Sequence, residues 1–529
     1  MNRIYQYFKR KNTESASNKW ISSVIFIGLG LSATIWFLIR VIPKPSRATY
    51  PCMQTAAPFM SSLVIYLISL WGGFKAFNKT KIFISQRRLG FATCFAMAAL
   101  ICGIVFTLNN VKDISAKISK TNNAAPSFML PSNSPVGEAK GIFPGRVAWA
   151  YAPNTANWDE KTGFWFEDRW NNQNNCDQLI KQTLFTLTEK NNEKEAWAAL
   201  FAFYNKNRGK ESLSYQPNEK IAIKINQNNT YSHEDSEELN ASPHLTLSLL
   251  RSLINVAGVP EEQIMVIEPS RFITDYLYKK CSSEFPNVKF VDNSGGNGRI
   301  KSTYIPDAIT YSANNGKLAK GLVTCLEKAD YVINMAILKG HVGQGVTLCA
   351  KNWYGATDIH SDWRNNFHNN FDQDRKGNSK YMTFVDFMGH KYTGEKTLIY
   401  FIDGLYGSQN VAGKPSGKWN LAPFNGDWPN SLFASQDPVA IDAVGLDFLS
   451  SEWPGMVDIN YADMYLLEAA LANKPPSGTF YNPNKNETGL KSLGVLEHWN
   501  NPIDKKYSRN LGKNEGIELV FNSIIPLKK

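Results

Sequence analysis

The stretch Ala329–Asp358, ADYVINMAILKGHVGQGVTLCAKNWYGATD, decides the fold. Tyr331 to Leu338 is apolar apart from Asn334, and its length suits a strand covered on both faces, as in a parallel sheet. Lys339-Gly340-His341 closes the run. A glycine-rich turn (Gly340, Gly343, Gly345) follows, and then a short helical pattern carrying Thr347 and Lys351. Ligands of open α/β sheets sit beyond the carboxyl ends of the strands, in corners of this strand-turn-helix kind. Glycines let the backbone approach a ligand, and a helix N-terminus offers N–H groups that suit an anion. Lys339 and His341 add positive charge and a titratable group there. Thr347 and Lys351, four apart, share one helix face. The expectation is therefore catalysis by Lys339, His341 and Lys351, with ligand contacts from Gly343, Gly345, Thr347 and Asn352. In the plainer alternative, this is a buried strand and a tight turn whose Lys and His face solvent.

Around this stretch the chain alternates short apolar runs with amphipathic segments. Strands are expected at Arg146–Tyr151, Ile221–Asn226, Ile264–Glu268, Val288–Val291, Leu398–Asp403 and Leu432–Ala434. Helices are expected between them, including one capped by Ser242 with Pro243 at its first position and one opened by Asp437-Pro438. That rhythm predicts an α/β fold with a doubly wound, mostly parallel sheet across residues 141–529. The strand ends Asn226, Glu268, Lys339 and Asp403 would then meet along one edge with His341, which makes Asn226 and Asp403 further candidate ligand contacts. Asp437 reads as an N-cap. Asp442 lies among Val439, Ala440, Ile441, Ala443 and Val444, where a carboxylate needs a partner. Both are expected to support the basic corner.

The net charge of +11 is unevenly spread over the 529 residues. Residues 1–112 hold fourteen Lys or Arg and one acid, a balance of +13, which leaves −2 for the remainder. The larger part thus has no global field to draw nucleic acid. The N-terminal part contains uncharged apolar runs expected to span a membrane at about 20–39, 58–74 and 89–111. Five Lys or Arg precede the first run, three separate the first two and five separate the last two. The positive-inside rule then predicts a multi-pass inner-membrane protein whose large domain lies outside the cytoplasm. Residues 112–140, rich in Ser, Asn, Ala and Pro, read as a linker.

The pattern Asp330-x-Val332-Ile333-Asn334, Lys339-x-His341, Gly345-Val346-Thr347-Leu348-x-x-Lys351-Asn352-x-x-Gly355 resembles the bacterial "domain of unknown function 362" family. Gly145-Arg146-Val147-x-Trp149, Lys220–Asn226, Ile402–Tyr406 and Ser435–Asp442 extend the likeness from about Gly145 to Asp447. Many relatives carry ferredoxin-like cysteine clusters. The seven cysteines here contain no Cys-x-x-Cys, so the resemblance implies no iron–sulfur cluster for this chain.

Other chemistries fail on spacing. Gly340-x-x-x-x-Gly345-Val346-Thr347 places Val where a phosphate loop needs Lys, and neither a Gly-x-Ser-x-Gly elbow nor a His-Glu-x-x-His is present. The polar insertion 356–396 carries His360, Asp362, His368, Asp372, Asp374, Asp386 and His390, a number that admits a divalent metal but in no standard pattern. Two functions stay open. One is a membrane-anchored protein that binds a small anion at the Lys/His corner and moves protons on it. The other is a non-catalytic envelope module touching glycan or protein through the aromatics of 149–170.

Overall fold

The computed structural model describes residues 128–211, 213–312, 321–358, 381–456 and 458–524, together with 35, 74–75, 78–80 and 83, which are helical. The chain divides into two units, Met1–Ala124 and Ala125–Lys529. The three expected spans, 20–39, 58–74 and 89–111, fall almost entirely outside the described residues. Among the described residues, no helix is long and apolar enough to cross a membrane.

The larger unit is a mixed α/β structure built on a ten-stranded sheet. Its strands are β1 (Arg146–Tyr151), β2 (Ile221–Lys224), β3 (Ile264–Glu268), β4 (Lys289–Asp292), β5 (Ile300–Lys301), β6 (Tyr331–His341), β7 (Gly345–Thr347), β8 (Thr397–Ser408), β9 (Ser431–Ser435) and β10 (Glu518–Ser523). They lie in the order β10-β1-β9-β8-β6-β2-β3-β4-β5, with β7 folded back on β6. Neighbours from β8 through β5 are parallel, and β9 runs antiparallel to both β8 and β1. From β2 the chain steps outward to β5, then returns to lay β6 on the other side of β2. That reversal opens a crevice between the carboxyl ends of β2 and β6, where loops diverge to opposite faces.

The apolar run in β6 follows from burial on both sides. Tyr331, Ile333, Met335 and Ile337 enter one core, and Val332, Ala336 and Leu338 enter the other. The first core is closed by helices α1 (Gln173–Thr188), α2 (Glu193–Asn207), α3 (Pro243–Arg251) and α4 (Asp275–Ser282). The second is closed by α6 (Cys349–Asn352), α7 (Thr383–Gly389), α8 (Pro438–Glu452) and α9 (Ile459–Ala470), with a short α5 (Thr324–Lys328) leading into β6. Ser242 caps α3 through the amides of His244 and Leu245, with Pro243 in the first turn.

One expectation is revised by packing. The end of the 112–140 stretch, from Phe128 onward, belongs to the domain. Phe128 stacks on His498 at 3.7 Å, the Met129 amide donates to Asp463, and Val136–Gly137 pairs with Val495–Leu496. His498 itself bridges Asp447 of α8 (2.7 Å) and Asp463 of α9 (3.2 Å), and Tyr507 donates to Asp447. The aromatics of 149–170 are mostly core. Trp149, Tyr151, Trp158, Trp165 and Phe166 are buried, with Trp158 against Trp428 and Trp165 against Tyr406. Buried faces are not offered to a glycan.

Candidate functional site

The residue types at the ends of β2 and β3 make an unusual junction. Lys224, the last residue of β2, is wholly buried, which would be costly for a lone cation. Glu268, the last residue of β3, meets it at 2.9 Å, and Lys224 also donates to the Ile225 carbonyl and, at 3.1 Å, to Asn352 Oδ1. The other lone pairs of Glu268 accept from the Gln227 amide and the Ser270 hydroxyl. Parallel register puts Lys224 opposite both Ile267 and Asn334, so the pair stands where the crevice opens.

Above this pair lies a cavity of about 70 Å³ lined by Asn226, Asn228, Glu268, Ser270, Arg271, His341, Thr347, Lys351, Tyr354 and Gly355. That volume holds a few waters or a small polar ligand. Its wall carries two basic side chains, Arg271 and Lys351, one titratable imidazole and one carboxylate, whose charge Lys224 meets from below. The Lys351 Nζ sits 3.9 Å from the Tyr354 ring centre, in a cation–π contact. His341 Nδ1 lies 2.6 Å from the Val342 carbonyl, which can only accept, so Nδ1 carries the proton. A Cβ at Gly355 would fall 2.7 Å from Glu268 Oε1 and 2.8 Å from Lys224 Nζ, which accounts for the bare backbone there.

Residues 221–447 match the family model described as domain of unknown function (DUF362). The DUF362 match opens on the first residue of β2 and includes every residue lining the cavity. Strands β1 and β10 lie outside it. No curated protein and no solved structure gives a significant match to the chain.

The crevice gathers some of the sequence candidates and disperses others. Asn226, His341, Thr347 and Lys351 line the cavity together. Asn352 lies beneath it as a hub, accepting from Lys224 and Asn226 and donating to Asn334 and to the Lys224 carbonyl. Lys339 is buried behind it, donating to Asn228 Oδ1 (2.9 Å) and the Leu239 carbonyl (3.0 Å). Burial pushes its ammonium down to about 7, against the pull of Glu238 and Glu268. Lys339 therefore positions Asn228 and does not line the space.

The remaining candidates are framework. The glycine turn is a hairpin between β6 and β7, and no helix starts directly from it. Gly343 donates its amide to Asp458, and a Cβ at Gly345 would meet the Asp458 carbonyl at 2.7 Å. These glycines admit α9, so the anion-cradling turn expected here is corrected. The following helix, α6, has only four residues. Asp442 accepts from its Cys349 and Ala350 amides at 2.8 and 2.9 Å, and from Tyr465, so that helix start is already capped. Asp442 thus supports the corner through backbone donors and not through a Lys. Asp437 caps α8 through Val439 and Ala440 and also accepts from Lys140 and Val495. Asp403 is buried and accepts from the amides of Ser242 and Leu405, which consumes it as a loop anchor.

Of the insertion, Asp386 accepts from Ser312 and Tyr381, and His390 contacts the Ala308 carbonyl. His360, Asp362, His368, Asp372 and Asp374 lie outside the described residues. Among the described residues no group of three His, Cys, Asp or Glu could hold a metal ion. Sequence reasoning missed Lys224, Asn228, Ser270 and Arg271. The Pro269-Ser270-Arg271 turn after a strand ending in Glu268 is the signal that could have found two of them.

Proposed function

We propose that this protein binds a small anion in the crevice beyond β2, β3 and β6, and that His341 and Lys351 exchange protons with it. The observation that carries this reading is the convergence of Arg271, Lys351 and His341 on one small polar cavity at the sheet's reversal point. Fixed cations against a partly desolvated wall attract negative charge more strongly than they would in water. An imidazole and an ammonium lining one space provide an acid and a base close to neutral pH. The N-terminal apolar runs, on this reading, tether the domain to a membrane.

Calorimetric titration of the full-length protein with inorganic phosphate and with glycolate tests the reading. It expects saturable, one-to-one binding of at least one probe that weakens in Lys351→Met and Arg271→Met. The absence of saturable binding by either anion between pH 6 and 8 would overturn it.

A further inference from the structure

The polarity of the amides under the cavity is fixed by a chain of donors and acceptors. Asn334 Nδ2 donates to the Cys349 carbonyl (2.9 Å), which leaves its Oδ1 as an acceptor. Asn352 Nδ2 donates to that Oδ1 (2.8 Å) and to the Lys224 carbonyl (3.1 Å), so Asn352 Oδ1 points the other way, toward the Lys224 ammonium. Asn226 then has one choice. Its Nδ2 faces Asn352 Oδ1 at 3.2 Å, because turning the amide over would set two oxygens against each other. The consequence is an oriented carbonyl oxygen on a cavity-lining side chain that is 4 % exposed. That Asn226 Oδ1 is buried and has no hydrogen-bond partner among the described residues.

A buried amide oxygen without a partner is costly, and such groups in folded proteins ordinarily have a donor. The cations of the wall attract an anion, whereas the orphan oxygen repels one. Both conditions are met by a ligand that carries negative charge on one side and an O–H on another. We infer, resting on the anion-binding reading above, that the crevice selects small anions bearing their own hydroxyl donor, with Asn226 Oδ1 as the acceptor that reads it. Hydrogen phosphate and a short 2-hydroxycarboxylate share that chemistry. Sulfate and the corresponding plain carboxylate keep the charge and shape but lack the donor. A pocket built around a buried acceptor rejects the analogue that leaves it unpaired.

The experiment titrates full-length protein with two matched pairs, phosphate against sulfate and glycolate against acetate, and repeats both with Asn226→Ala. The donor-bearing member of at least one pair is expected to bind about tenfold or more tightly than its partner. Which pair shows the preference identifies the source of the anion. In Asn226→Ala the ratio falls toward one. Equal affinities within both pairs for the unsubstituted protein overturn the inference and leave anion binding standing. So does a preference that survives Asn226→Ala. If Asn226→Ala does not fold, the ratios for the unsubstituted protein decide alone. Failure of all four anions to bind removes the anion-binding reading and this inference with it.

Discussion

The Lys224 ammonium lies 2.9 Å from the Glu268 carboxylate, with the two side chains 0 % and 1 % exposed. The pair joins neighbouring strands at the mouth of the crevice. Its attraction offsets the desolvation of both charges only while both are present. Lys224→Met or Glu268→Gln alone should therefore destabilise the domain by about 3–5 kcal/mol. The double variant Lys224→Met/Glu268→Gln should lose clearly less than the two single losses combined. Chemical denaturation followed by tryptophan fluorescence measures the coupling, and strict additivity would remove the pair from this account.

Lys351 and Lys339 differ in where they act. Lys351 lines the cavity and should contact a bound anion directly, so Lys351→Met is expected to weaken phosphate binding about tenfold to a hundredfold. Lys339 reaches the site through Asn228, so Lys339→Met should weaken binding less and destabilise more. Calorimetry together with thermal unfolding of both variants separates the two roles. A larger binding loss at Lys339 would reverse them.

Two buried bases pull the pH dependence of stability in opposite directions. Burial lowers the His498 imidazole's affinity for protons, but Asp447 and Asp463 override it and raise its pKa to about 10. Tyr507 also faces Asp447 there. The stabilisation from protonated His498 is complete below its unfolded value of about 6.5 and is lost as pH rises toward 10. Lys339 is the reverse case: its pKa is about 7 folded and 10.5 in its ordinary state. Over that window the unfolded chain holds the extra proton, so stability rises with pH. The two slopes oppose each other between about pH 7 and 10. Lys339→Met should leave His498 unopposed and make stability fall more steeply with alkalinity. Denaturant midpoints from pH 6.5 to 9.5 would show it, and an unchanged slope would count against the assignment.

Gly345 has φ +79° and no room for a Cβ beside Asp458 and Ala462. Gly345→Ala should destabilise by about 1–3 kcal/mol through strain and overpacking against α9. Phosphate affinity of the folded fraction should stay unchanged. A selective loss of binding with normal stability would restore the ligand-cradling role that the glycine spacing suggests.

Asp442→Ala removes the acceptor for two backbone amides and the Tyr465 hydroxyl. Leaving such donors buried and unpaired costs about 1–3 kcal/mol each at most. Asp442→Asn keeps one acceptor and should lie between Ala and the native residue in unfolding temperature. An Asn variant as unstable as Ala would mean that charge, not hydrogen bonding, holds α6.

The periodicity of the chain revealed the strands because burial writes itself into local composition. Tyr331–Leu338 could hardly be anything but a two-sided strand. His341, Thr347, Lys351 and Asn226 were legible as polar groups ending or following such strands. Lys224 was hidden because its partner, Glu268, is distant in sequence and joined to it only by parallel register. Asp403 looked functional as a polar strand end, and Asp442 because an acid in an apolar setting signals a demand for a partner. That demand is met by backbone amides, which composition does not display. The glycine turn misled for a similar reason, since what crowds Gly345 is α9, over a hundred residues away.

Strand β2 pairs with β6 only as far as Lys224 opposite Asn334, while β6 continues to His341. The crevice is thus a gap in a ladder, and its depth is a matter of chain length before side-chain chemistry. Extending β2 by two or three residues would zip that gap shut and turn a receptacle into ordinary sheet. Shortening β6 would take away its rear wall. Insertions and deletions near residue 225 are therefore a more drastic lever on this site than any point substitution within it.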